Sequence, residues 1–314
     1  MTGQSNGIAA RVVAKTEVAE RVVELTLESA GGPLPAFSAG AHIDIHLGND
    51  LVRQYSLCGD LHDHDRWRVA VLHEVDGRGG SAIIHDQVRV GDVLTVSAPR
   101  NHFPLEPAKE YLFIAGGIGI TPFLPMIQEA DLAQRGWRLV YGGRSRASMA
   151  YLPMLEAFDD RVTVWPMDER GLIDLATLLG TVDEDLAVYS CGPEPLLEAV
   201  EAACATWPTG TLRTERFKAV VSDDPAEAFE VEIASTGEVV VIPPESSVLD
   251  VLRDRGLDIP WSCSDGTCGT CETRVLAGQP DHRDVVLSPE EQEAGEYMMV
   301  CVSRAKCARL TLDV

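Results

Sequence analysis

Three cysteines fall within nine residues in "CSDGTCGTC": Cys263, Cys268 and Cys271. A fourth, Cys301, follows in "YMMVCVSRA". The spacing C-x4-C-x2-C with one distant cysteine is the plant-type arrangement for a [2Fe–2S] cluster. Two irons need four thiolates, three from a short loop and one from a separate element. Ser262, Ser264, Gly266, Thr267, Gly269 and Thr270 suit that loop. Small residues let backbone N–H groups turn toward cluster sulfurs and offset their negative charge. A structural zinc site usually shows two C-x2-C pairs, and here only Cys268 and Cys271 make one. A disulfide belongs to an oxidising compartment, whereas clustered cysteines in a reducing one point to metal or redox chemistry. Cys58, Cys204 and Cys307 lack any such spacing and read as small core or surface residues.

A second set of residues suits a flavin. "RQYS" holds Arg53, Gln54, Tyr55 and Ser56 and is followed by the turn "DGRGGS", Asp76 to Ser81. Arg and Tyr two positions apart share one face of a strand, which by itself describes a solvated strand equally well. An aromatic ring can cover an isoalloxazine face, and a hydroxyl or N–H can reach its N5. A cation and a glycine turn can hold a phosphate. Further along, "AGGIGITP" is a glycine turn entering a helix, where N–H groups and the helix dipole can meet a pyrophosphate. It departs from G-x-G-x-x-G, because Pro122 occupies the third glycine position. "YSCGPEP" is its counterpart on a later strand. Cys191 within it has no adjoining His or base motif, so a nucleophilic role lacks support. "YGGRSRAS" offers Arg144, Ser145 and Arg146 to the adenosine end of a dinucleotide, and two arginines there raise the possibility of a 2′-phosphate. His42 and His46 share one side of a strand, with no third ligand to complete a metal signature.

The elements that must position these residues change character along the chain. Val-rich alternating segments with turn residues every eight to twelve positions run to about residue 105 and predict an antiparallel barrel or sandwich. From "YLFIAGG" the order becomes strand, turn, helix, repeated, which predicts a parallel sheet with crossover helices. "KAVVSDDPAE" is a polar linker, and "FEVEIASTGEVVVIPPESSVLDVLRDRG" reads as a hairpin and a short helix before the cysteines. The expected domains are residues 1–105, an antiparallel β-barrel; 106–222, an α/β domain; and 228–314, an α+β domain. The 314 residues, 45% hydrophobic and 24% charged, support such cores. A formal net charge of −23 disfavours nucleic acid or an anionic membrane face and leaves room for a basic docking surface on a protein partner. No signal peptide and no apolar run long enough to span a membrane is visible, so a cytoplasmic location is expected.

The order R-x-Y-S, G-R-G-G-S, G-G-I-G-I-T-P, Y-G-G-R-S, C-G-P, E-R-F and the four cysteines resembles the phthalate dioxygenase reductase family, within it the vanillate demethylase reductases, over essentially the whole chain. The resemblance implies an FMN-binding barrel, an NAD-binding domain and a plant-type ferredoxin domain of β-grasp type. It implies that Arg53, Gln54, Tyr55 and Ser56 line the flavin and that Arg78, Gly79, Gly80 and Ser81 hold its phosphate. Gly116, Gly117, Gly119, Thr121 and Pro122, with Cys191, Gly192 and Pro193, would form the nicotinamide site, and Arg144 and Ser145 the adenosine end. Ser56, Thr121, Cys191 and Phe217 would position the reacting rings, Phe217 near the flavin face with Glu215 beside it. For Phe217 the bland reading is ordinary core. The implied activity passes electrons from NADH through FMN to the [2Fe–2S] cluster and on to a terminal oxygenase. That oxygenase is expected to be Rieske-type and to act on an aromatic acid or methoxylated aromatic. FAD, NADPH, a haem monooxygenase partner and a redox-sensing role without turnover stay open.

Overall fold

The computed structural model describes residues 7–48, 51–75, 77, 79–183, 185–217 and 227–314. Six strands open the chain: β1 (Ile8–Ala19), β2 (Val22–Ser29), β3 (His42–His46), β4 (Val52–Ser56), β5 (Arg66–Leu72) and β6 (Val93–Val96). They form one sheet in the order β4-β3-β6-β1-β2-β5, every pairing antiparallel. A bridge between Leu57 and Val69 joins the two edges, so the sheet closes into a barrel and no edge remains open there. Leu25, Leu27, Ile43, Ile45, Trp67 and Val69 fill it. A short helix, α1 (Gly80–Asp86), buries Ile84 in the same core. Lys15 donates to the carbonyls of Ile84 (2.8 Å), His85 (2.6 Å) and Val88 (3.0 Å), satisfying groups that the end of a helix leaves open.

Five strands follow: β7 (Glu110–Gly116), β8 (Gly136–Gly143), β9 (Val162–Pro166), β10 (Leu186–Cys191) and β11 (Leu212–Glu215). All pair in parallel, in the order β11-β10-β7-β8-β9. Parallel strands are covered on both faces, and the alternation within β7 shows how. Tyr111, Phe113 and Ala115 pack with Phe123 and Met126 of α2 (Phe123–Leu132). The residues between them, Leu112 and Ile114, face a second cluster. That cluster holds Leu179 and Val200, from the later helices of the domain. In chain order those helices are α3 (Leu152–Leu155), α4 (Met167–Arg170), α5 (Leu175–Leu179) and α6 (Glu194–Ala203). The barrel and the parallel sheet belong to one compact unit that ends at Glu215; the rest of the chain, from Arg216, belongs to a second.

The second unit is a mixed sheet with a helix against it. β12 (Phe229–Ile233) and β13 (Glu238–Ile242) form the expected hairpin. Helix α7 (Val248–Asp254) is capped by the Ser247 side chain, which accepts from Asp250 N–H at 3.0 Å. It buries Val248, Leu249, Val251 and Leu252 against the sheet. Then come β14 (Glu272–Ala277), β15 (Pro280–Asp281), α8 (Pro289–Ala294), β16 (Tyr297–Met299), β17 (Arg304–Ala305) and β18 (Arg309–Leu312). The sheet order is β13-β12-β18-β14-β16, with β12 and β18 parallel and β15 pairing β17 apart. The polar linker foreseen in the sequence lies mostly outside the described residues.

Candidate functional site

The four cysteines of the motif come together. Cys263, Cys268 and Cys271 lie in the loop before β14 and Cys301 follows β16; all four are buried and none forms a disulfide. Their thiols touch in series, Cys268 to Cys263, Cys263 to Cys301 and Cys301 to Cys271. Among the described residues, no three His, Cys, Asp or Glu side chains converge on a position that one metal ion would fill. Four buried thiols in the C-x4-C-x2-C…C spacing fit a [2Fe–2S] group. The mutual hydrogen bonds hold the Cys263 thiol down by way of Cys268 and the Cys271 thiol down by way of Cys301. Each partner is pushed up in turn, Cys268 by Cys263 and Cys301 chiefly by Cys263. Four thiolates cannot all ionise at this separation without cationic charge among them.

The loop backbone is shaped for that. Asp265 N–H points at Cys263 Sγ (3.3 Å) and Thr270 N–H at Cys268 Sγ (3.4 Å). Ser264, Gly266 and Gly269 adopt φ of +55°, +66° and +70°. At Gly266 an added Cβ would lie 2.5 Å from Val302 Cγ2, so glycine is required there by conformation and by space.

The flavin candidates also assemble, in the barrel. β4 carries Arg53, Gln54, Tyr55 and Ser56, and β3 pairs along it in register, Ile43 with Tyr55 and His42 with Ser56. Arg53 reaches the turn before α1: a Cβ on Gly80 would lie 2.6 Å from Arg53 Cγ. Gly79 holds φ +83° at the start of that helix. The Ser81 hydroxyl accepts from Glu74 N–H at 3.0 Å, closing the loop between them. Arg78 lies outside the described residues. Gln54 donates to Asp44 at 3.3 Å, on a carboxylate that also pairs with Arg100 at 2.7 Å. Burial pushes the Tyr55 phenol up, against the smaller opposing effect of Arg53.

The two glycine turns meet at the C-terminal ends of the adjacent strands β7 and β10. An added Cβ at Gly116 would lie 2.7 Å from Pro193 Cδ, one at Gly192 would lie 3.0 Å from Gly116 Cα, and one at Gly119 would overlap the Cys191 carbonyl. Gly117 takes φ +55°, with the Tyr141 hydroxyl donating to its carbonyl at 3.1 Å. Thr121 is buried, its Oγ1 donating to Ile118 O at 3.0 Å, and Pro122 opens α2. Cys191 is fully buried and its Sγ faces Glu215 Oε2 at 3.8 Å. Burial, then the Glu215 charge, raises the Cys191 thiol well above its usual value. Burial pushes the Glu215 carboxyl up to about 8. A thiol held protonated is not an activated nucleophile.

Other candidates are less engaged. Arg144 is exposed. Ser145 is bridged by the Ser148 hydroxyl in a one-turn cap. Arg146 is taken by two surface carboxylates, Glu156 (3.0 Å) and Glu169 (3.2 Å). Phe217 is 42% exposed and falls in the second unit, so it is not the core residue of the bland reading. Sequence reasoning missed Tyr151. It stands at φ +64° and its hydroxyl donates to Glu24 at 2.9 Å while meeting Cys58 Sγ at 3.5 Å. With the Glu20 N–H to Ala147 O bond (2.8 Å), it ties the barrel to the parallel sheet. Only the unused Cys58 hinted at it, as a small residue following R-x-Y-S-L.

Residues 113–202 match the oxidoreductase NAD-binding domain family, and residues 231–306 match the 2Fe-2S iron-sulfur cluster binding domain family. A solved phthalate dioxygenase reductase, titled a modular structure for electron transfer from pyridine nucleotides to [2Fe–2S], is 36% identical. All of this chain and all of that one are covered, with a TM-score of 0.76. The chain belongs to the phthalate dioxygenase reductase family. It is therefore an oxidoreductase, and the barrel, parallel-sheet and ferredoxin-type architecture is the family's. A putative toluene-4-sulfonate monooxygenase system reductase subunit of Comamonas testosteroni is 45% identical, over 96% of this chain and 98% of its own length. The crystal structure of an intact type IV self-sufficient cytochrome P450 monooxygenase matches with a TM-score of 0.89 and 43% identity. That match takes in 98% of this chain, which spans only 41% of that longer protein. No helix among the described residues is long and apolar enough to cross a membrane.

Proposed function

We propose that the chain is the NADH-dependent reductase component of an oxygenase system, carrying electrons from NADH through FMN and the [2Fe–2S] cluster to a terminal oxygenase in the cytoplasm. The observation that carries this reading is four buried thiols in serial contact on the same polypeptide as an NAD-binding sheet. A flavin, when bound, accepts an electron pair from a nicotinamide and yields electrons singly. That chemistry links a two-electron donor to a one-electron cluster.

The protein's own share is placement. Arg53, against the Gly79–Ser81 turn, supplies a cation for a terminal phosphate, which favours FMN over FAD. Tyr55 offers a ring and Ser56 a hydroxyl on the same strand. The turn Gly116–Gly119 brings backbone N–H groups to the start of α2. Thr121 and Cys191, both buried, form a tight neutral wall, with Glu215 keeping its proton near neutral pH. Arg146 pairs with Glu156 and Glu169, so of the two arginines Arg144 alone would face a 2′-phosphate, which favours NADH over NADPH.

Reductases of dioxygenase and monooxygenase systems among the relatives support a separate oxygenase as acceptor, and a Rieske-type enzyme acting on an aromatic is the first choice. Delivery to a haem monooxygenase is the second reading, favoured by the P450 match. The net charge of −23 supports docking to a basic surface, so partner reduction should slow as ionic strength rises. The test is an absorption spectrum of the purified protein with its cofactors extracted, followed by stopped-flow reduction with NADH and with NADPH. One FMN and two irons per chain, with NADH preferred, support the proposal; FAD, or a chain that NADH does not reduce, contradicts it.

A further inference from the structure

The segment between β14 and α8 holds a buried charge arrangement that the flavin and nucleotide positions do not use. Asp284 is 4% exposed. Its carboxylate accepts from Val286 N–H (3.2 Å), Leu287 N–H (3.0 Å) and the Ser303 hydroxyl (3.1 Å), and Ser303 lies two residues beyond Cys301. The same residue walls the cysteine loop. Val285 N–H donates to Gly266 O at 3.0 Å, and a Cβ on Gly266 would lie 3.1 Å from Asp284 Cα. Asp284 therefore holds both arms that present the thiols. His282 stands beside it with a side chain 6% exposed and Nδ1 3.7 Å from Asp284 Oδ1. Neither ring nitrogen of His282 has a hydrogen-bond partner among the described residues. The neighbouring charges are committed elsewhere. Arg283 pairs with Asp281 at 2.8 Å. Arg304, opposite Asp281 on β17, donates to the carbonyls of Ser246, Glu227 and Pro243 and lies over Phe229. A buried carboxylate and a buried unpartnered imidazole are each costly alone.

We propose that Asp284 is a positioning residue for the cluster-binding loop, and that its carboxylate, with the His282 ring beside it, sets the potential of the bound cluster. A fixed negative charge behind the loop disfavours one more electron there. The electron is the one the reductase already delivers. This inference rests on reading the four cysteines as cluster ligands.

The test compares the full cofactor-loaded chain with Asp284→Asn and His282→Gln. The cluster's midpoint potential is followed by electron paramagnetic resonance at one fixed pH for all three proteins. Asp284→Asn should move the potential positive and speed loss of iron to a chelator about 10- to 100-fold, the range for lost outer-shell partners. His282→Gln should keep the cluster and move its potential by less than Asp284→Asn does. Reduction of the flavin by NADH should not change in either variant. A wild-type potential in Asp284→Asn overturns the proposal. If Asp284→Asn does not hold a cluster, a wild-type potential in His282→Gln overturns it. A wild-type chain lacking a [2Fe–2S] signal removes the cluster reading itself, and this inference with it.

Discussion

The cysteine loop and the paired glycine turns of the nucleotide domain are both glycine-rich, yet glycine answers a different demand in each. In the loop, Gly266 and Gly269 sit at positive φ, as does Ser264, because the backbone must turn back to aim N–H groups at sulfur. At the ends of β7 and β10, Gly116, Gly119 and Gly192 sit where two neighbouring turns abut, and none of the three has a positive φ, unlike Gly117 between them. The cysteine spacing, on the proposed reading, is itself the ligand set, so it speaks of chemistry directly. The glycine spacing first records how close two strands must come, and only then what can dock on them.

The largest effect should follow from breaking the first region. Cys268→Ser removes one of four ligands, and we expect loss of the [2Fe–2S] absorption and at least a 100-fold fall in electron delivery to the acceptor, with flavin reduction by NADH retained. Stopped-flow spectra of the two phases decide it. Loss of flavin reduction in a folded variant would contradict the electron order.

The second region should break differently. Gly119→Val drives a side chain into the Cys191 carbonyl, and overpacking of that kind costs about 1–3 kcal/mol, with a matching fall in Tm and in kcat/KM for NADH. Gly117→Ala has open space but the wrong φ, costing about 1–2 kcal/mol. If Gly117→Ala lowered Tm more than Gly119→Val, contact between the turns would not be the reason for glycine at 119. Neither substitution should alter the cluster spectrum.

How far the sequence could be read follows the same division. The convergence of the four cysteines, the barrel-then-parallel-sheet order and the hairpin before the loop all depend on local spacing, which a sequence displays. Partners far apart in the chain were invisible. Nothing near "YGGRSRAS" says that Arg146 is held by Glu169, and nothing near Gly80 says that Arg53 packs on it. "MAYLPMLEAFDD" does hold a short helix, Leu152–Leu155, but Tyr151 at its start is left-handed and bonded to Glu24, 127 residues away. Phe217 looked apolar enough for a core and is exposed.

A pH effect sharpens the nucleotide side. The Glu215 carboxyl, pushed up to about 8 in the folded chain from an ordinary 4.5, binds its proton more tightly folded than unfolded. The stability this contributes is complete below about 4.5 and is lost as pH rises through about 8. Glu215→Gln should therefore flatten the decline of Tm between those limits. An identical decline in wild type and variant would show that Glu215 is not the titrating group. The cysteine region should not contribute to this slope once its thiolates are bound to iron.

The smallest effect belongs to the seam inside the first unit, where neither kind of spacing speaks. Tyr151→Phe keeps the ring among Val22, Ala70 and Ala150 and removes only the hydroxyl. A hydrogen bond to a charged group contributes about 1.5–3 kcal/mol when buried, and less where the deserted partner can reach water. Burial pushes the Tyr151 phenol up and the Cys58 thiol up to about 12, so both stay protonated and Glu24 is the group left short of a donor. We expect a loss of about 1 kcal/mol, seen as a drop in Tm of a few degrees at most. NADH-driven flavin reduction should slow several-fold if the seam keeps the two rings in register, and the cluster signal should stay fixed. A variant with lower Tm but unchanged flavin reduction would make the Tyr151 contact a brace for stability alone, with alignment of the barrel and the parallel sheet left to the backbone bond between Glu20 and Ala147.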